Sequence, residues 1–129
     1  MTESALVTQC LRAFAYRSFT VLDPKTLKTG VSYVLKDFAP RNENGFVWRA
    51  STGALPARNR FIRFGIAGLP DITGITKHGY WIGCEVKTDK GELSEVQKAF
   101  HDAVALCHGL IFVARGYEEC YQKLIELGY

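Results

Sequence analysis

The sequence predicts an α/β sandwich in which helices flank a mixed central sheet. Apolar residues recur at helical spacing in three segments, near the N-terminus, after residue 94 and near the C-terminus. Short runs rich in β-branched and aromatic residues lie between these segments. The resulting order is helix, three or more strands, helix, strand, helix, which suits helices layered on a sheet.

Length and composition indicate one globular domain over residues 1–129. Hydrophobic residues make up 47% and charged residues 22% of the chain, which is ordinary for a globular protein. The net charge of +3 is mildly basic, so affinity for nucleic acid would have to come from local clusters. Neither a signal peptide nor an apolar run of about 18 residues is recognisable. We therefore expect a cytoplasmic protein with no membrane partner.

The first predicted helix covers residues 3–16. Leu6, Cys10 and Phe14 follow the spacing of one apolar face, and Thr2 can cap the start. From 17 to 45 the patterns weaken. Residues 19–22 and 31–35 could be strands, with turn signals at Asp23-Pro24 and Thr29-Gly30, and residues 37–45 are loop-like.

Two further strands are predicted at 46–51 and 60–64, with a turn at Thr52-Gly53. The second helix begins at Ser94, and Gly109 is expected to end it as the C′ residue. This helix carries a long apolar stripe made of Val96, Ala99, Phe100, Ala103, Val104 and Cys107. A strand at 110–114 and a helix from Tyr117 to Ile125 complete the order.

A predicted β-hairpin that carries acidic residues lies between the strand at 60–64 and the second helix. Residues 71–76 and 80–87 are predicted strands joined by a short His-Gly turn. Side chains alternate along a strand, so Glu85 and Lys87 share one face. Depending on the register, Asp71 comes close to both of them.

This trio suits phosphodiester hydrolysis. Two carboxylates can hold a hard divalent cation through oxygen ligands. Such a cation stabilises charge on a phosphate and lowers the pKa of a bound water, while a lysine can orient that water. Taken alone, the Glu-Val-Lys triplet also fits an edge hairpin with an ordinary cross-strand ion pair.

The wider pattern resembles a known nuclease family. Its elements are Gly68-Leu69-Pro70-Asp71, a hairpin, the run Glu-Val-Lys-Thr-Asp-Lys-Gly-Glu-Leu-Ser that starts at Glu85, and Gln97. This pattern resembles the VRR-NUC domain, the virus-type replication-repair branch of the PD-(D/E)xK nuclease superfamily. The resemblance is densest from 58 to 116, extends more weakly to Glu3, and implies a restriction-endonuclease-like fold.

The resemblance also implies roles for individual residues. Asp71, Glu85 and the backbone carbonyl of Val86 would be ligands of Mg²⁺ or Mn²⁺, and Lys87 would be the catalytic lysine. Gln97 would be the additional motif residue. The Ser94-x-x-Gln97 spacing also fits a capping box, which is a structural role that does not exclude the catalytic one.

The role of Glu3 stays open at this point. By resemblance it would reach the metal site from the first helix. It lies one turn before Leu6, over the core-facing stripe. The alternative is that it only complements the positive end of the helix dipole.

Arginine is concentrated before the hairpin. Between residues 41 and 63 one acid, Glu43, stands among five arginines. Arginine forks pair well with phosphate oxygens, although a solvated charged face is the alternative. Residues 60 and 63 are an odd number apart, so on one strand they face opposite sides. The expected phosphate contacts are Arg49, Arg58, Arg60 and Arg63.

These features together predict a metal-dependent, structure-specific DNA endonuclease of a bacterial or phage-infected cell. By resemblance, branched DNA such as a four-way (Holliday) junction is the expected partner, cut by a two-fold homodimer. The alternatives are a simple DNA nickase and a nucleic-acid-binding module that does not cleave. Segment 17–45 looks like an insertion, either surface decoration, a dimer arm or a nucleic-acid contact. The four cysteines show no paired spacing and are expected to be buried free thiols.

Overall fold

The structure, a computed structural model, describes residues 2–22, 43–50, 53–57, 60–64 and 66–129, and for 53–57 and 60–64 it describes the backbone alone. The expected strand at 31–35, the turn signals at Asp23-Pro24 and Thr29-Gly30, and Arg58 lie outside these residues. Most of the expected 17–45 insertion does so too.

Three helices and seven strands form in the described part of the chain. They are α1 (Glu3–Tyr16), β1 (Phe19–Leu22), β2 (Gly45–Arg49), β3 (Gly53–Ala57), β4 (Arg60–Phe64), β5 (Ile72–Thr76), β6 (Trp81–Val86), α2 (Glu95–Leu106), β7 (Leu110–Ala114) and α3 (Tyr117–Glu126).

Five of the strands form a mixed sheet in the order β1-β2-β5-β6-β7. The outer pairs, β1–β2 and β6–β7, are parallel, and the two inner pairs are antiparallel. Strands β3 and β4 form a separate antiparallel hairpin. The predicted α/β class with a mixed sheet is therefore confirmed. No described helix combines the length and the apolar character needed to cross a membrane.

The core lies between one face of the sheet and the helices α1 and α3. Helix α1 starts as predicted, because the backbone N–H of Ala5 donates to Thr2 Oγ1 over 3.1 Å. Its apolar face is buried, and the Phe14 ring lies 5.1 Å from Phe19 and 6.3 Å from Phe112 between ring centres. Packing of this apolar stripe fixes where the N-terminus of α1 lies against the sheet.

Strand β6 separates the core from the opposite face. Ile82, Cys84 and Val86 are fully buried in the core cluster. Because side chains alternate along a strand, Glu85 points to the other face. Helix α2 lies on that second face, where Phe100 approaches Trp81 with ring centres 5.9 Å apart.

Three predictions about local structure were wrong. Gly53 does not form a turn but begins β3, whose sequence Gly-Ala-Leu-Pro-Ala has weak strand propensity and is held by pairing with β4. Gly109 is not the C′ residue of α2, because His108 takes the left-handed conformation at φ 62°. Cys107 is exposed, whereas the other three cysteines are buried free thiols as expected.

The end of α2 explains the position of His108. His108 N–H donates to the Ala105 carbonyl over 3.0 Å, and Gly109 N–H donates to the Val104 carbonyl over 2.9 Å. These are the two bonds of a Schellman motif, with Gly109 one residue beyond the left-handed position.

Only part of the apolar stripe on α2 faces the sheet, since Phe100 and Val104 are half-buried while Val96 is 51% exposed.

At Gly68 the segment before β5 packs against the first turn of α2. It has φ +84°, and a Cβ there would lie 2.8 Å from the Val96 carbonyl oxygen. Only glycine meets both conditions without strain. The Gly-Leu-Pro-Asp sequence therefore has a packing reason for its glycine, since the close contact holds α2 beside Asp71.

We predict that Gly68→Ala destabilises the protein more than Gly79→Ala. Gly79 also has φ +84°, but a Cβ added there would have no atom within 4 Å, so it measures the backbone strain alone. That strain should cost roughly 1–2 kcal/mol, and the clash at Gly68 should add roughly 1–3 kcal/mol. Urea unfolding of both variants checks this, and equal losses would show that the contact with α2 is unimportant.

Candidate active site

The register of the β5–β6 hairpin brings Asp71 and Glu85 together. Ile72 pairs with Cys84, so the next pair outward consists of Asp71 and Glu85. Pro70 immediately precedes this pair. Because proline has no backbone N–H, it cannot continue the hydrogen-bonded ladder. Asp71 is then fixed by its side chain, because Val86 N–H donates to Asp71 Oδ2 over 2.8 Å.

A third carboxylate comes from α1. Glu3 is the first residue of that helix, and carboxylate oxygens of Glu3, Asp71 and Glu85 all lie within 4.8 Å of one another. Glu3 is exposed, Asp71 is half-buried and Glu85 is buried. The cluster thus runs from the solvent to the interior of the sheet.

Gln97 joins the carboxylate cluster to the start of α2. Its Oε1 accepts from the Ser94 N–H at 2.9 Å, and its own N–H donates to Ser94 Oγ at 3.2 Å, which completes a capping box. Its Nε2 donates to Glu85 Oε1 at 3.1 Å. One amide therefore caps the helix and holds the buried carboxyl group at the same time.

Glu85 has the most unusual environment of the three acids. It is 2% exposed, and its Oε2 has no hydrogen-bond partner among the described residues. The pKa of Glu85 is raised to about 8, first by burial and then by Asp71 and Glu3, while the charge of Lys87 opposes the shift. Near neutral pH this carboxyl group holds a proton unless a cation replaces it.

Lys87 follows the buried part of β6 and is half-buried. Its N–H donates to the Ala114 carbonyl over 3.1 Å, which extends the pairing with β7. Its side chain passes close to Gly91, where a Cβ would lie 3.3 Å from Lys87 Cδ. The ammonium group is near enough to Glu85 to lower the pKa of that carboxyl group.

Arg115 is a part of the site that sequence reasoning missed. Its Nη1 donates to the carbonyls of Thr88 at 2.6 Å and Gly91 at 2.8 Å. These bonds hold the turn that follows Lys87. No local pattern identifies Arg115, because the contact depends on the parallel pairing of β6 with β7.

The predicted phosphate-binding arginines are only partly located. Arg49 ends β2 and is exposed, and its Nη2 donates to Ser4 Oγ at 3.2 Å, one residue from Glu3. For Arg60 and Arg63 the structure gives only their places on β4. Arg49 is thus the one member of the group whose described side chain contacts α1, one residue from Glu3.

The donor set fits a hard divalent cation. Carboxylate oxygens are the ligands that such ions prefer, and a cation would satisfy the unpartnered, buried Oε2 of Glu85. The Val86 side chain is buried in the core, so only its backbone is available on this side. Glu3, Asp71 and Glu85 are the groups that the structure brings together and that could hold the ion, whereas the Val86 carbonyl stays a predicted ligand.

No family model, no curated protein and no solved structure matches this chain.

We predict that Glu85 makes the metal-free protein lose stability as pH rises. Its pKa is raised in the folded state from 4.5 to about 8, so its contribution is fully present below pH 4.5. The contribution is lost between pH 4.5 and 8, because in that range Glu85 is ionised in the unfolded chain but still protonated in the folded protein. The loss should approach about 1.4 kcal/mol per pH unit.

Urea unfolding in a chelator at several pH values checks this. Glu85→Gln should remove that part of the pH dependence, whereas Glu92→Gln, at an exposed position, should keep it. Identical pH profiles for the wild type and Glu85→Gln would contradict the prediction.

Proposed function

We propose that this chain is a metal-dependent DNA endonuclease of the VRR-NUC type with a restriction-endonuclease-like fold. The observation that carries the proposal is the convergence of Glu3, Asp71 and Glu85 within 4.8 Å, beside Lys87. Three acids in such proximity repel one another, and one of them is buried with an unpartnered oxygen. A binding module has no use for that arrangement, because it would repel the phosphate that it must bind.

In this proposal Glu3, Asp71, Glu85 and the Val86 carbonyl hold Mg²⁺ or Mn²⁺. When bound, the ion neutralises charge on the scissile phosphate and lowers the pKa of a water ligand. Glu85 must lose its proton to become a ligand, and Gln97 keeps Glu85 Oε1 in place through one hydrogen bond. That bond leaves Oε2 as the oxygen without a protein partner among the described residues.

Lys87 has the complementary role. Its ammonium group can only donate hydrogen bonds, so it serves phosphate oxygens or the attacking water and does not bind the metal. Arg115 holds the Thr88–Gly91 turn, against which the stem of Lys87 lies. Positioning of this kind favours charge stabilisation in the transition state, because the charge needs no reorganisation.

Arg49 is the proposed clamp for a neighbouring phosphate. It is exposed, and its bond to Ser4 lies one residue along α1 from Glu3, the exposed acid of the carboxylate cluster. Guanidinium groups bind phosphate oxygens through two parallel hydrogen bonds. Arg58, Arg60 and Arg63 are further proposed contacts on the basis of the sequence.

The proposed substrate is branched DNA, such as a four-way junction, cut by a two-fold homodimer. One chain offers one carboxylate site, and one site cuts one strand per encounter. A C₂ dimer is the commonest way to place two identical sites in matching orientation. Phe19 and Leu22 are buried in the core of the chain itself, so the proposed dimer arm is the rest of segment 17–45, on the basis of its apolar residues in the sequence. A monomer that only nicks DNA would refute this part.

We predict that Asp71→Asn and Glu85→Gln each abolish cleavage and retain DNA binding. Each removes a metal ligand while keeping the shape of the side chain. A thousandfold loss of rate corresponds to about 4 kcal/mol of transition-state stabilisation. The test measures cleavage of labelled duplex, nicked, flap and four-way DNA in Mg²⁺ or Mn²⁺, with binding followed in parallel.

Glu92→Gln is the matched control for that test and should cleave like the wild type, since Glu92 is an exposed glutamate outside the cluster. Near-wild-type cleavage by Asp71→Asn or Glu85→Gln would refute the assignment. Tight DNA binding by a wild type that cuts none of the substrates would favour a non-cleaving binding module.

We predict that Lys87→Ala loses turnover but still binds metal. The lysine supplies no metal ligand, so the carboxylate cluster keeps its donors. Loss of free Mn²⁺ signal in electron paramagnetic resonance measures binding, and a single-turnover assay measures cleavage. Lys90→Ala changes an exposed lysine three residues away and is the control. A folded Lys87→Ala protein that binds no Mn²⁺ would show that Lys87 has a structural role instead.

A further inference from the structure

Three cysteines meet on the core side of the sheet. Cys10 comes from α1, Cys84 from β6 and Cys120 from α3. Their sulfur atoms all lie within 4.8 Å of one another, and each residue is 0% exposed. They form a thiol cluster, which we define as Cys10, Cys84 and Cys120.

The thiol cluster is separate from the proposed nuclease site. Cys84 and Glu85 are consecutive residues of β6, so their side chains point to opposite faces of the sheet. The carboxylates suit hard cations, whereas thiolates select soft ones. The proposed nuclease mechanism uses none of these three cysteines.

The thiol cluster has the size of a site for one ion. A metal–sulfur bond of about 2.3 Å, the length found with zinc, puts three sulfurs around one ion at no more than about 4 Å from each other. The observed separations, at most 4.8 Å, are compatible with this spacing after small side-chain shifts. Two helices and one strand supply one ligand each, so the surrounding fold already determines where the sulfurs lie.

Coordination number and charge decide which ion fits. Structural zinc needs four ligands, and the cluster offers three sulfurs in a fully buried environment. Three thiolates with a monovalent or divalent ion would leave net negative charge in the core, which is strongly unfavourable. Three thiolates with a trivalent ion are neutral.

We propose that the thiol cluster is a binding site for a trivalent thiophilic ion, with arsenic(III) as its chemical type. Arsenous acid, As(OH)₃, reacts with three thiols to give As(SR)₃ and three waters. Three As–O bonds break, three As–S bonds form, and each thiol proton leaves with a hydroxide as water. No electron is transferred, and no charge is left in the core.

The present thiol hydrogen bonds are weak enough to be replaced. Cys10 Sγ donates to the Gly116 carbonyl at 3.6 Å, and Cys120 Sγ donates to the Cys10 carbonyl at 3.7 Å. Thiols are weak donors. Because the cluster is fully buried, uptake requires local opening of the fold, so binding should be slow. Once bound, the ion would cross-link α1, β6 and α3.

The test incubates the reduced, folded chain with arsenite and follows the intact mass under native conditions. The expected gain is the mass of one arsenic atom minus three hydrogen atoms, which identifies a complex with three As–S bonds. Near-ultraviolet absorption from sulfur-to-arsenic charge transfer should rise with the same slow time course. Thermal unfolding should shift to higher temperature, because the ion links three elements of the native state.

Three variants make the test specific. Cys107→Ser should bind like the wild type, since Cys107 is exposed and lies outside the cluster. Cys84→Ala and Cys120→Ser, each checked for folding by circular dichroism, should bind at least about tenfold more weakly. Their mass gain should show two As–S bonds and one retained hydroxyl group.

Several results would overturn the proposal. One is the absence of binding to the folded wild type. Another is equal affinity in the wild type and in Cys84→Ala, and a third is a mass gain that corresponds to only two As–S bonds in the wild type. Parallel titrations with Zn²⁺ and Cu(I) test the charge argument, and tighter binding of either ion than of arsenite would refute the trivalent assignment.

Discussion

The burial of one carboxyl group, that of Glu85, is the constraint around which the candidate site is arranged. The side chain is 2% exposed, and one of its oxygens has no partner among the described residues. A lone buried carboxylate is strongly unfavourable, so the group either keeps its proton or meets a cation. Without a cation, the nearby acids Asp71 and Glu3 favour the protonated form of Glu85. When a cation is present, all three carboxylates attract it.

The helices α1 and α2 are placed so that the burial of the Glu85 carboxyl group is less unfavourable. The N-termini of α1 and α2 both lie at the carboxylates, since Glu3 begins one helix and Gln97 stands in the first turn of the other. Helix N-termini carry partial positive charge, which favours nearby anions. The Gly68 contact with α2 and the Thr2 cap of α1 therefore determine where these two positive helix ends lie.

Much of this arrangement could be predicted from the sequence, because it follows from local rules. The 3.6-residue spacing of α1, its Thr2 cap and the Ser94–Gln97 capping box each depend on residues within one or two turns. The pairing of Asp71 with Glu85 follows from a short hairpin, whose length leaves few registers. The bond from Gln97 to Glu85 shows that the residue of the capping box also contacts the carboxylate cluster.

The remainder depends on contacts between residues far apart in the chain. Arg115 reaches Thr88 only because β6 and β7 are parallel neighbours. Cys10, Cys84 and Cys120 have no spacing that a motif could describe, and they meet because α1 and α3 cover the same face of β6. Strand β3 was missed because its own residues favour a strand only weakly, and pairing with β4 decides its conformation.

The most direct test of this account is the number of protons that leave when the metal binds. Titration calorimetry of Mn²⁺ at pH 7, in buffers that differ in ionisation enthalpy, measures that number. A Glu85 carboxyl group with a pKa of about 8 should release close to one proton per ion at pH 7, and far less well above pH 8. Metal binding at pH 7 without proton release would contradict the account, because Glu85 would then be already ionised or would not be a ligand.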